Sequence, residues 1–69
     1  MKMINISTGN IVSIGYDESR KVLRVKLKNS TYEYNRVPKN ILRDFLNDLN
    51  KTKFYNSIIR HFYSVHKVR

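Results

Sequence analysis

Apolar and polar positions alternate over residues 10–16. Val12, Ile14 and Tyr16 fall on one side, and Ile11, Ser13 and Gly15 on the other, the two-residue period of a β-strand. Asp17-Glu18-Ser19-Arg20 supplies turn chemistry, because short polar side chains bond back to their own backbone there. Residues 21–28 alternate again, with Leu23, Val25 and Leu27 facing one way and Arg24, Lys26 and Lys28 the other. Asn29-Ser30 reads as a two-residue hairpin turn. Thr31, Tyr32 and Tyr34 give residues 31–36 the composition of a third strand.

The pattern also predicts a register. A four-residue loop over 17–20 sets Ile14 opposite Leu23 and Val12 opposite Val25. A turn at Asn29-Ser30 sets Leu27 opposite Tyr32, Val25 opposite Tyr34 and Lys26 opposite Glu33. Residues directly opposite share a face. Both hairpins therefore agree on one apolar face that includes Tyr16, Tyr32 and Tyr34, and they leave a Lys26–Glu33 ion pair pointing outward.

Val37-Pro38 ends the third strand and opens a helix, since a missing N–H costs nothing in a first turn. Ile41, Leu42, Phe45, Leu46 and Leu49 then recur at helical spacing as one apolar stripe. Asn50-Lys51-Thr52-Lys53 interrupts the stripe, with Thr52 the predicted N-cap of a second helix. Phe54, Ile58, Ile59 and Phe62 form that helix's own stripe. Residues 63–69 make either a short final strand or a tail. The predicted fold is α+β: a three-stranded antiparallel meander followed by two helices packed on its one apolar face, within a single domain spanning residues 1–69.

Composition narrows the function more than the fold. A 69-residue chain buries only about 60% of the surface its unfolded form exposes, so the core is small and a homodimer is as reasonable as a monomer. The absence of cysteine removes disulfides, thiolate metal sites and a cysteine nucleophile. Residues 1–8 contain no continuous apolar run of the kind a signal peptide needs, and no stretch approaches a membrane span. We therefore expect a cytoplasmic protein with no membrane partner. Fourteen Lys and Arg against five Asp and Glu give a net charge of +9, which points to an anionic partner, either nucleic acid or an acidic protein surface. Codon bias toward Lys, Asn and Ile produces the same excess, so charge alone does not name that partner.

No catalytic constellation is evident, and neither a cofactor nor a metal is expected. His61 and His66 stand five residues apart, on different sides of a helix and away from metal-ligand spacings. Asp17-Glu18 reads as turn chemistry, and Asp44 and Asp48 as a solvated helix face. Two basic groups remain. Arg24, Lys26 and Lys28 line the sheet face away from the helices, spaced to track phosphates. Lys51 and Lys53 open the second helix, with Asn56 and Arg60 following down one side. Cations at a helix N-terminus oppose its dipole, which makes better sense if an anion docks there. Tyr55 and Tyr63 lie off the second helix's stripe and, with Arg60 and His61, form an exposed aromatic and basic surface suited to a protein interface.

Four ordered segments carry a family resemblance: Ser13-Ile14-Gly15-Tyr16-Asp17, the Tyr32-Glu33-Tyr34 element, Val37-Pro38, and Lys53-Phe54-Tyr55-Asn56-Ser57-Ile58-Ile59-Arg60 with Tyr63 behind it. In their order and spacing the chain resembles the KTSC domain, a small module that stands alone in bacterial and phage proteins and ends some lysyl-tRNA synthetases. The resemblance implies an RNA-related role and places Asn56 and Arg60 within a motif. Two departures stand out. Ser30 replaces a usual hairpin glycine, and Asn50-Lys51-Thr52 replaces a Ser-x-Gly step between the helices, so positive-φ turns are in question at both places. The leading expectation is a non-catalytic nucleic-acid-binding module, RNA before DNA, acting through Lys51, Lys53, Asn56, Arg60, Arg24, Lys26 and Lys28. The alternative is a protein-interaction module, such as a phage-encoded protein that docks on a host or viral machine.

Overall fold

The computed structural model describes residues 1–68. Its strands are β1 (Met3–Thr8), β2 (Ile11–Asp17), β3 (Val22–Leu27), β4 (Thr31–Tyr34) and β5 (Val65–Lys67). They form one antiparallel sheet in the order β1-β2-β3-β4-β5. Between β4 and β5 come α1 (Lys39–Asn47) and a second helical segment. That segment runs from α2 (Lys51–Phe54) through a π-turn (Tyr55–Ile59) into α3 (Arg60–Phe62). The fold is therefore α+β with helices on one face, but the meander has four strands rather than three. The residues after the helices close it with a fifth.

β1 has no counterpart in the predicted pattern. It is an edge strand six residues long, and its two isoleucines, Ile4 and Ile6, carry little apolar signal; Ile4 stays half exposed. A register shift between Asn5 and Thr8, with Ser7 at φ 53°, further breaks its alternation. Gly9 completes the turn at φ 55°, a conformation in which an L side chain is strained.

Both predicted hairpin registers are displaced by two residues. Ile14 pairs with Val25 and Tyr16 with Leu23, because the loop takes in Lys21, which sits at φ 56°. Leu23 pairs with Tyr34 and Val25 with Tyr32, because the β3–β4 connection spans residues 27–30 and is closed by Leu27 N–H donating to Ser30 O (2.7 Å). A two-residue turn favours positive φ, and neither Asn29 nor Ser30 adopts it. A displacement of two preserves faces, so the predicted apolar face survives while its pairs change. The exception is Val12. A bulge between Ile11 and Ser13 turns Ile11 into the core at 2% exposure and leaves Val12 half-buried.

The core joins Ile11, Ile14, Leu23, Val25 and Tyr34 of the sheet to Val37, Phe45, Tyr55 and Ile59. Pro38 O accepts the first helical hydrogen bond, from Leu42 N–H (3.3 Å), so the predicted helix start holds. Leu49 is fully exposed, because α1 ends at Asn47 and Asp48 is extended. Asn50, not Thr52, caps α2, its side-chain oxygen accepting from Lys53 N–H (3.1 Å). The π-turn adds a residue to one helical turn and so rotates the following side chains. The buried series becomes Tyr55 and Ile59 with Tyr63 packed beside them, whereas Phe62 of the expected stripe is 67% exposed.

Candidate functional site

Tyr34 and Tyr55 meet edge-on, with ring centroids 5.8 Å apart, and their hydroxyls share a 2.6 Å hydrogen bond. Tyr55 stacks on Phe45 as well (6.4 Å). Burial pushes both phenols above their ordinary pKa, Tyr55 the further of the two because its hydrogen bond to Tyr34 adds to the effect. The pair forms part of the lining of a depression of about 240 Å³, together with Leu27, Tyr32, Arg60 and Val65. A neighbouring depression of about 190 Å³ is lined by Asn10, Leu27, Lys28, Asn29, Ser30 and Tyr32. The two share Leu27 and Tyr32, so they adjoin along one surface at a half-buried tyrosine. Arg60 lines the first and Lys28 the second.

The expected site residues separate accordingly. Lys28 and Arg60, assigned from the sequence to different patches, each line one part of this groove. Asn56 accompanies Arg60, whose Nη1 donates to Asn56 Oδ1 (3.2 Å). Lys53 is exposed and lines a different depression with Asp48, Asn50, Phe54, Ser57 and Ile58. Lys51 turns its ammonium onto Asp48 O (3.1 Å). Asn50 Oδ1 already accepts from Lys53 N–H, one of the first-turn donors an anion would take.

On the opposite sheet face the predicted strip is broken. Arg24, not Lys26, faces Glu33 and donates to it through Nε (2.8 Å). Glu33 is buried rather than outward, and its other oxygen lies 3.3 Å from His66 Nε2 on β5. Lys26 remains exposed. Ser13 and Gly15 are also buried on this face, where Met1 and Met3 lie over Gly15.

The exposed aromatic surface is altered too. Tyr55 is 4% exposed and cannot anchor a partner, and Tyr63 is half-buried against the core. His61 remains exposed beside Phe62, their rings edge-on at 5.0 Å. Tyr32, set in the core by the sequence pattern, does pack against the core but also lines both depressions, because strand alternation names a face without showing where the helices stop covering it. Sequence reasoning missed a basic depression lined by Arg20 and Arg36, which come from separate hairpin ends.

The fold defines a small α+β module built on one antiparallel meander, with an aromatic and basic groove beside the helices. Its sequence matches the KTSC domain family over residues 7–63, and the chain belongs to that family. A crystal structure of a KTSC domain protein from Yersinia pestis superposes with a TM-score of 0.93 at 26% identity, covering 99% of this chain and 97% of that one. Among curated proteins none matches. Ser30 and residues 50–52, where the chain departs from the family's usual glycines, all avoid positive φ. The substitutions therefore introduce no left-handed backbone strain.

Proposed function

We propose that the protein is a non-catalytic nucleic-acid-binding module, RNA before DNA, and that a single strand lies along the Lys28–Tyr32–Arg60 groove. The observation that carries this reading is that Tyr32 lines two adjoining depressions, one lined also by Lys28 and the other by Arg60. Single strands are held by this combination, with phosphates on the cations and a base against the ring. The +9 charge favours the same partner.

Fluorescence anisotropy with a labelled tRNA and a labelled single-stranded DNA, each at three salt concentrations, tests the proposal. Binding should weaken steeply with salt, RNA should be preferred, and Lys28→Glu with Arg60→Glu should abolish it. The milder Lys28→Gln with Arg60→Gln should lower the log–log salt slope by about 1.4, with about 0.7 for each phosphate no longer neutralised. Lys51→Glu with Lys53→Glu should weaken binding less. Absence of binding at low salt would refute the proposal.

Exposed Phe62, its ring edge-on to His61, favours a second reading, a protein-interaction module. That interface should tolerate salt and fail on Phe62→Ala.

A further inference from the structure

A depression of about 600 Å³ is separate from the groove and shares no lining residue with it. It is lined by Arg20, Val22, Asn35, Arg36 and Ser64. Three distant stretches of chain build it: the β2–β3 turn, the end of β4 and the residue before β5. Two backbone hydrogen bonds hold them together, Asn35 N–H to Ser64 O (2.9 Å) and Val37 N–H to Lys21 O (2.8 Å).

The backbone here is unusual in a way that points to function. Among the described residues three non-glycines adopt positive φ, namely Ser7, Lys21 and Arg36. Two of these three belong to this corner: Arg36 lines the depression, and Lys21 sits between its lining residues Arg20 and Val22. Left-handed backbone is unfavourable for any residue with a Cβ, and glycine would relieve it. The chain instead carries long cations at both positions. At Arg36, whose side chain lines the depression, strain of this kind points to a functional position, whereas Lys21 owes its φ to the β2–β3 loop and does not line the depression. Among the described residues, the one negative charge held against this group is Asp17, whose Oδ2 is 3.9 Å from Arg20 Nη1. Arg36 forms no ion pair among the described residues.

We infer that Arg20 and Arg36, with Asn35 and Ser64, form a binding site for a phosphate dianion, free or as a terminal monoester. Arginine supplies paired donors that match phosphate oxygens, and an amide and a hydroxyl complete the set. A dianion suits two guanidinium groups better than the single charge of an internal phosphodiester. The inference stands independently of the groove.

Amide chemical shifts of the labelled full chain should be followed during titration with inorganic phosphate, AMP and a dinucleoside monophosphate at constant ionic strength. Phosphate and AMP should give saturable shifts centred on residues 20–22, 35–37 and 64, with the diester several-fold weaker. Arg36→Gly removes the guanidinium and relieves the backbone, so it should fold with a Tm no lower than the parent. Its phosphate affinity should fall by about tenfold or more, the scale of a lost charge-assisted hydrogen bond. Arg20→Gln should weaken binding similarly without altering the backbone, and Lys28→Gln with Arg60→Gln should leave it unchanged. No saturable shift at this corner, or undiminished binding in both arginine variants, would overturn the site. A diester that binds as tightly as the dianions would overturn its assignment to a free or terminal phosphate.

Discussion

Tyr34 and Tyr55 bury their hydroxyls against each other at 2.6 Å, with the two residues 2% and 4% exposed. Tyr55→Phe leaves the buried Tyr34 hydroxyl without its protein partner, and Tyr34→Phe does the reverse. An unsatisfied buried hydroxyl costs about 1–3 kcal/mol. The pair lies at the wall of an open depression, so water relieves part of that penalty, and we place each single substitution at about 1–2 kcal/mol. For a domain of this size each kcal/mol lowers Tm by about 4–8 °C, which gives a fall of about 4–16 °C. The double variant keeps both rings, their edge-on contact and the stack on Phe45, and has no orphaned hydroxyl. Its stability should return to within about 0.5 kcal/mol of the parent, since replacing both partners by apolar groups of the same shape is nearly neutral. Urea denaturation of the parent, both singles and the double closes the cycle. If the two losses simply add, the hydroxyls do not depend on each other and the buried pair is refuted.

Two further outcomes follow from the packing. Burial raises the phenol pKa of Tyr16, Tyr34 and Tyr55, while the same groups in the unfolded chain titrate near 10. Above about pH 10 the unfolded state has therefore released protons that the folded state keeps, so stability is complete below that pH and declines as pH climbs past it. The urea midpoint should fall between about pH 9 and pH 11, with tyrosinate absorbance rising late; an unchanged midpoint would contradict the burial. Gly9→Ala should cost about 1–2 kcal/mol from left-handed backbone alone. Its Cβ would also lie 2.7 Å from Thr52 Oγ1, so thermal denaturation should show a smaller but non-zero loss in a Thr52→Ala background.

Much of this protein is written in its local pattern. Strand alternation named the apolar sheet face, Pro38 marked the start of α1, and the spacing of Ile41, Leu42 and Phe45 oriented it. These features depend on neighbours two to four residues apart, which a sequence displays directly. Pair identities were not legible, because a hairpin displaced by two residues buries the same face and only the turn geometry distinguishes the registers. Tyr55 stands four residues before Ile59 and so shares its helix face, a spacing that the expected stripe passed over, while the exposure of Phe62 was misread for a related reason. A π-turn changes the helical period once, and the pattern on either side of it remains helical. The groove was less legible still. Lys28, Tyr32 and Arg60 are ordinary strand and helix residues until β4, β5 and the second helix come together.

The sequence by itself determined the α+β class, the apolar face and the family, because those follow from periodicity and ordered motifs. Only the tertiary structure decided what each cation meets. Arg24 is held by Glu33 and Lys51 by the carbonyl of Asp48, whereas Lys28 and Arg60 line one groove and Arg20 and Arg36 line another depression. A charge acts through what lies within a few ångströms of it, and for these residues those neighbours arrive from remote parts of the chain.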